Sequence, residues 1–248
     1  MNAVEVNSLT FAYDSGPALL RDISFSIPEG EVFVIAGQSG CGKTTLCRIL
    51  CGVIPNSIKG HISGEVMISD RNTSDYISPA QAGLSQTALR AGMVFQDADS
   101  QIICTTVEDE IAFGLENFCT PADEIRRRVD ELLAEFGFEV LRYANPAALS
   151  DGMKRLLTIA AVLATAPPIL ILDEPLSGLD DDARQLVLSV IKQQKRHNRT
   201  VVIVEHDLKT FAFADKWLLL RDGTVGLFGA PADIMPLESE LIDLGVWA

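Results

Sequence analysis

The segment Gly37-Gln38-Ser39-Gly40-Cys41-Gly42-Lys43-Thr44 constrains this chain more than any other. It fits the pattern G-x-x-x-x-G-K-[S/T] in full, and its neighbours suit the pattern. The run Val32-Phe33-Val34-Ile35-Ala36 before it reads as a strand buried on both faces. The stretch from Thr44 to Cys51 after it reads as a helix stopped by Gly52. Glycines there let the backbone curl until its N–H groups point inward, and the helix N-terminus adds positive dipole. Lys43 would add a point charge at the β- and γ-phosphates, and the Thr44 hydroxyl would ligate magnesium. The chemistry implied is that of a nucleoside triphosphate.

A second motif sharpens this. Ile169-Leu170-Ile171-Leu172-Asp173-Glu174-Pro175 is a buried strand ending in two acids. Such an end delivers one carboxylate, Asp173, to the metal and a second, Glu174, to the attacking water as general base.

Further apolar runs, Met93-Val94-Phe95 and Val201-Val202-Ile203-Val204, add strands to a mostly parallel sheet. Nearer the N-terminus, Val4, Val6 and Leu9 and then Ile23, Phe25 and Ile27 alternate as half-buried antiparallel strands do. A helix is expected from Pro121, capped by Thr120, with Ile125, Val129, Leu132, Leu133 and Phe136 as its apolar face and Gly137 as its stop. Asp180 caps another helix, and Arg221-Asp222-Gly223-Thr224 reads as a hairpin turn. The expected fold is α/β, a P-loop NTPase core with an N-terminal antiparallel β subdomain. It forms one domain over residues 1–248, with a helical insertion at about residues 100–165.

Composition narrows the partners. With 34 acidic against 20 basic residues, the net charge is −14, which disfavours nucleic acid and direct adsorption to anionic lipid. The start of the chain does not read as a signal peptide, and Pro167 and Pro168 interrupt the greasiest stretch, Leu156 to Leu172. A membrane role would therefore need a partner that holds the chain at the membrane. Five cysteines without a secretory signal imply reduced thiols in the cytoplasm. Cys41, Cys47 and Cys51 lack metal-ligand spacing, but Cys41, at a helix N-terminus, is a candidate reactive thiolate.

With both motifs in hand, the chain resembles the ATP-binding subunits of ABC transporters from residue 4 to about 230. The resemblance implies ATP contacts from Tyr13 (stacked on adenine), Gly37, Gln38, Ser39, Gly40, Cys41, Gly42, Lys43, Thr44 and Thr45. It implies magnesium held by Thr44, Gln96 and Asp173, and catalysis by Glu174, Gln96 and His206, the histidine touching the γ-phosphate. Ser177-Gly178-Leu179-Asp180 matches a loop that crosses a dimer interface. The family's signature L-S-G-G-Q stands here as Leu149-Ser150-Asp151-Gly152-Met153, facing a partner's ATP. Asp151 sets a carboxylate against that γ-phosphate, which favours a heterodimer with an intact second subunit over a homodimer. The alternative is a catalytically impaired regulatory half.

Met93-Val94-Phe95-Gln96-Asp97-Ala98-Asp99-Ser100-Gln101-Ile102 is similar to V-F-Q-N-P-D-x-Q-I of energy-coupling-factor ATPases. Asp97 and Ala98 replace its Asn-Pro. Thr106 to Asn117 resembles the segment that follows in that group. That likeness implies a peripheral subunit on the cytoplasmic face of the membrane, bound to integral membrane subunits that import a vitamin or transition-metal ion. The region from Gln96 to Asn117 would line the docking groove, its acids Asp97, Asp99, Glu108, Asp109 and Glu110 suiting an arginine-bearing helix. The competing reading is a soluble ABC-type ATPase, such as one serving iron–sulfur assembly. An integral membrane partner separates the two.

Overall fold

A computed structural model describes residues 1–14, 16–69 and 75–246. In chain order, strands β1 (Asn2–Ala12), β2 (Ala18–Pro28) and β3 (Val32–Gly37) lead into helix α1 (Lys43–Leu50). Short turns α2 (Val53–Asn56), α3 (Pro79–Ala82) and α4 (Leu84–Ala88) surround strands β4 (His61–Ser69) and β5 (Tyr76–Ile77). After β6 (Ala91–Val94) come helices α5 (Val107–Asn117), α6 (Ala122–Phe136) and α7 (Asp151–Ala164). Then β7 (Ile169–Asp173), α8 (Asp181–Arg196), β8 (Thr200–Val204), the pair β9 (Lys216–Arg221) and β10 (Thr224–Gly229), and helices α9 (Pro231–Ile234) and α10 (Glu238–Asp243) complete it.

Among the described residues the strands form two sheets. One is antiparallel, in the order β2-β1-β4-β5; the other runs β10-β9-β3-β8-β7-β6. Within the second sheet β6, β7, β8, β3 and β9 are parallel, and only β10 is antiparallel, to β9. Period-two alternation explains why the parallel strands are apolar throughout. Phe33, Ile35, Ile171, Val202 and Leu218 face one core, shared with α1 and the antiparallel sheet. Val34, Leu170, Leu172, Ile203 and Leu219 face the other, beneath α5 to α8.

The antiparallel sheet carries one irregularity that its sequence announces. The apolar spacing widens by a residue between Val6 and Leu9, where the register with β2 shifts. Ser8 sits there at φ 47°. Opposite it, Gly64 has φ 87°, and a Cβ on it would lie 2.3 Å from the Ser8 carbonyl oxygen. Glycine is required by both backbone and space.

Helix ends follow local chemistry. The Asp180 carboxylate accepts the Ala183 N–H at 2.8 Å, and the Ser150 hydroxyl accepts the Met153 N–H at 3.4 Å, so each caps its helix. Gly137 stops α6 at φ 71°, and Asp222 and Gly223 turn the β9–β10 hairpin at φ 48° and 76°. Three expectations need correction. Helix α6 begins at Ala122 with Pro121 as its cap, because the Pro121 carbonyl accepts the helix's first N–H groups, from Glu124 and Ile125, both at 3.0 Å. Ile125 is only half-buried on it. Helix α1 starts at Lys43 and ends at Leu50, one residue earlier at each end than its pattern predicts. Strand β4 escaped notice because Val66 and Ile68 are its only buried apolar residues.

Candidate nucleotide site

The carboxyl ends of β3, β7 and β8 lie side by side, which fixes where the predicted site residues meet. From β3 the chain enters the glycine loop. Gly37 has φ 139°, and a Cβ there would lie 2.3 Å from the Leu220 carbonyl oxygen, so the loop's first position accepts only glycine. Lys43 is buried, its ammonium donating to the carbonyl oxygens of Gly37 at 2.7 Å and Gln38 at 3.0 Å. The lysine is thus drawn into the curl of its own loop. No side chain caps α1, which begins after Gly42 at φ 106°, so the helix presents its positive end to the loop.

Tyr13 approaches from the antiparallel sheet. Its hydroxyl lies 3.1 Å from the Thr45 hydroxyl, and its ring stands edge-on to Phe11 with centroids 4.8 Å apart. Tyr13, Gln38, Ser39, Gly40 and Cys41 line one cleft together with Asp222 and Gly223 of the hairpin. Thr44, Gln96 and Asp173 line a second cleft, of about 640 Å³, together with Arg48 and Asp97.

Asp173 is buried, and neither of its carboxylate oxygens has a hydrogen-bond partner. Burial pushes its carboxyl above the ordinary range, and Thr44 nearby opposes that shift. An orphaned buried carboxylate facing a cleft beside a threonine hydroxyl is an oxygen donor set suited to magnesium.

Glu174 follows immediately, with the backbone in the left-handed region at φ 51°. For a non-glycine residue this costs about 1–2 kcal/mol. The conformation is held from both peptide groups. The Glu174 N–H donates to the Val204 carbonyl at 3.0 Å, and the Arg155 guanidinium donates to the Glu174 carbonyl at 2.9 Å. The turn aims the side chain between two partners. The Gln96 amide donates to one carboxylate oxygen at 2.8 Å, and His206 Nε2 lies 3.1 Å from the other. Glu174, Gln96 and His206 are therefore one cluster, with Asp173 the preceding residue on its strand.

The signature segment lies further off. Ser150 caps α7; Asp151 occupies its first turn with the side chain 97% exposed. Lys154 is 3.9 Å from Asp151 but 2.6 Å from Asp99, so its charge is committed elsewhere. Met153 is half-buried against the helical core, which accounts for an apolar side chain there. Gly152 faces Leu179 and Gly178, which brings the signature against the segment Ser177-Gly178-Leu179-Asp180.

Three contributors escaped the sequence reading. Gln101 braces the strand that delivers Gln96: its amide donates to the Met93 carbonyl at 2.9 Å and accepts the Phe95 N–H at 3.0 Å. Glu205 is buried, accepts the N–H groups of Leu176 at 3.2 Å and His206 at 3.1 Å, and is raised in pKa by that burial. Arg155 joins the loops of Gln96 and Glu174. Arg155 acts on backbone far away in the chain, and Glu205 holds distant Leu176 as well as its neighbour His206, so the local sequence announces neither contact in full.

The acids of the expected docking region are mostly committed internally. Glu110 is buried and accepts the N–H groups of Ile103 at 3.0 Å and Cys104 at 2.8 Å. Glu108 pairs with Arg142 at 3.3 Å, Asp99 with Lys154, and Asp109 with the Thr106 hydroxyl at 2.6 Å. Glu108 and Glu110 are thereby taken up, while Asp97, Asp99 and Asp109 stay exposed at the surface.

Cys41 is likewise corrected. It is buried, and that burial pushes its thiol above the ordinary range despite the Lys43 ammonium beside it. Desolvation outweighs the helix terminus. A raised thiol pKa means that thiolate forms only as pH rises through that higher value. At pH 7.5, brief iodoacetamide treatment of the native chain should label exposed Cys119 and leave buried Cys41 and Cys47 unmodified. Peptide mapping checks this; labelling of Cys41 at a rate equal to Cys119 would contradict it.

A family model described as "ABC transporter" matches residues 20–177, more than half of the chain. An energy-coupling factor transporter ATP-binding protein, EcfA1, from Levilactobacillus brevis is 35% identical over 99% of this chain and 85% of its own length. A putative ABC transporter ATP-binding protein from Methanosarcina mazei is 37% identical over 90% of this chain, which spans only 38% of that longer relative. The solved structure of cbiO1 from Clostridium perfringens, part of the ABC transporter complex cbiONQ, superposes with a TM-score of 0.80 at 32% identity. That match covers 98% of this chain and 93% of the other. A dimeric ATP-binding cassette in a post-hydrolysis state, bound to ADP and Pi, matches with a TM-score of 0.78 at 26% identity, covering 92% of this chain and 98% of the other. The fold, the glycine loop and the paired acids agree with these likenesses, and the chain belongs to the ABC transporter family of ATP-binding ATPase domains.

Proposed function

We propose that this chain is the ATP-hydrolysing motor of an energy-coupling-factor-type importer, bound peripherally to integral membrane subunits on the cytoplasmic side. The observation that carries the catalytic part is the Glu174 carboxylate held between Gln96 and His206. ATP would lie with its phosphates in the glycine loop and its base against Tyr13. Asp173 and Thr44, with Gln96, would hold magnesium, which supplies charge neutralisation at the phosphate oxygens. Glu174 takes the proton of the attacking water as that water bonds to the γ-phosphorus and the bond to the ADP oxygen breaks. His206 donates toward the transferring phosphoryl group, and Lys43 meets the charge on the β- and γ-oxygens.

The energy-coupling-factor assignment is supported by the named relatives and by Gln101. That residue of the V-F-Q-N-P-D-x-Q-I-like segment has a physical job in bracing the Gln96 strand. The transported cargo, a vitamin or a transition-metal ion, would be chosen by the membrane subunits. Whether an integral membrane partner co-purifies separates this reading from a soluble ATPase.

An apolar groove lies between the parallel core and the helical region, lined by Leu84, Phe95, Ile103, Phe113, Phe118 and Val162. Leu84, Ile103 and Phe113 are exposed on it. Because the groove lining is largely apolar and Glu108 and Glu110 are internally engaged, an apolar helix face of the membrane partner suits it better than an arginine-rich one.

The dimer is proposed as heteromeric. Asp151 stands exposed in the first turn of the signature helix, 3.9 Å from Lys154, which pairs more closely with Asp99. Two like charges brought together at a closing interface repel by about 1 kcal/mol or more. A partner with an intact signature would complete this chain's own site, while the partner's nucleotide would face the weakened segment.

Three outcomes test these proposals. Glu174→Gln in the assembled complex should lower turnover by about 10²–10⁴-fold while ATP binding, read by equilibrium titration, is kept. Near-normal turnover would remove Glu174 as the base. Phe113→Asp should free the chain from its integral membrane partner in detergent extracts without weakening ATP binding; retained co-purification would move the docking groove elsewhere. Finally, the chain purified alone should hydrolyse ATP more slowly than its Asp151→Gly, Met153→Gln double variant. Equal rates would mean that the signature is not impaired.

A further inference from the structure

Arg155 lies on α7, one turn beyond the cap Ser150 and the signature residues Asp151 and Gly152. Its guanidinium reaches out of that helix to two loops of the parallel core. Nη1 donates to the Glu174 carbonyl at 2.9 Å, and Nη2 donates to the Gln96 carbonyl at 2.7 Å. The two acceptors follow different strands, β7 and β6. Both belong to residues whose side chains meet at the catalytic carboxylate, where the Gln96 amide and Glu174 are 2.8 Å apart. Burial lowers the Arg155 pKa from its ordinary value, opposed by the Glu174 carboxylate and then by Glu205 and Asp173. The side chain is thus a partly desolvated cation bridging two backbone carbonyls, in the field of the acids that define the site.

The position of that bridge matters because Glu174 is strained. At φ 51° its backbone would relax if nothing held its carbonyl, and the carboxylate would swing out from between Gln96 and His206. Val204 holds the Glu174 N–H, from inside the sheet. Arg155 holds the carbonyl, from the helical side. The cleft between them is lined by Gln96, Asp97, Asp151, Arg155, Ser177 and Gly178, so signature, interface segment and catalytic loops share one gap.

We infer that Arg155 is a positioning residue that latches the signature helix to this chain's own Glu174 and Gln96, so that seating of the signature on the partner's nucleotide sets the geometry of the water-activating carboxylate at this chain's site. The inference rests on the proposed role of Glu174 as base and of Leu149–Met153 as the segment facing the partner. It adds a coupling between the two nucleotide sites through a single side chain. Helix α7 packs on α5 and α6 and also on β6, and the guanidinium adds a side-chain link from this helix to the loops that follow β6 and β7. A planar fork can satisfy two carbonyls at once, and an ammonium at the end of a shorter stem cannot reproduce that geometry.

The test compares Arg155→Gln and Arg155→Lys in the assembled dimer. Arg155→Gln should lower kcat about 10- to 100-fold, with Mg-ATP affinity and Tm close to those of the parent. Arg155→Lys, able to keep one of the two contacts, should fall in between. In single-turnover measurements, Arg155→Gln added to Glu174→Gln should cost little beyond Glu174→Gln alone, because the arginine acts through that carboxylate. Turnover of Arg155→Gln within about twofold of the parent would overturn the inference. So would a loss of turnover that only tracks falling Tm and nucleotide affinity, or a loss fully additive with Glu174→Gln. Should Glu174→Gln by itself remain active, the base assignment fails. A low kcat in Arg155→Gln would then show the arginine acting on some other group, and the latch to Glu174 would fall with it.

Discussion

Everything at this site depends on parallel strands that end at one edge of a sheet buried on both faces. Strands β3, β7 and β8 run side by side in register, so the glycine loop, the Asp173–Glu174 pair and the Glu205–His206 pair emerge together. Each strand is apolar throughout because it must fill two cores at once. Polar chemistry is thereby excluded from the strands and concentrated at their ends. The same burial that stabilises the sheet removes solvent from Asp173 and leaves its carboxylate without a hydrogen-bond partner.

The second constraint is backbone strain carried at Glu174. A residue in the left-handed region is stable there only when its peptide groups are held, and here the two anchors come from different parts of the fold. The sheet supplies one and the signature helix supplies the other. A carboxylate positioned in this way is sensitive to how the helical region sits on the core. Glu205 adds a third restraint by accepting N–H groups from Leu176 and His206.

Motif residues were legible in the sequence because their chemistry depends on short spacings. A glycine loop followed by Lys43 and Thr44 must cradle an anion wherever the backbone curls, and an acidic pair at a strand end must face the loop beside it. Much of the fold was legible for the same reason, through alternation at β1 and β2 and continuous apolar runs at β3, β7 and β8. Even the bulge at Ser8 left a trace, as a broken period. Where a strand has one polar flank, as in β4, the pattern faded and the element was missed.

The behaviour of individual ionisable groups was another matter. From sequence, Cys41 has a helix N-terminus and a lysine beside it and reads as an activated thiol; in the fold, burial dominates and raises its pKa. The acids between Asp97 and Glu110 read as a charged face for a basic partner, yet Glu110 is spent on backbone N–H groups and Glu108 on Arg142. The sequence by itself determined the fold class and the ATP-binding family, because these follow from local pattern and short-range spacing. Only the tertiary structure decided which charges are free, which are buried or paired, and that Arg155 reaches Glu174 and Gln96. Desolvation and hydrogen-bond partnership depend on residues distant in the chain, and the fold alone brings them within reach.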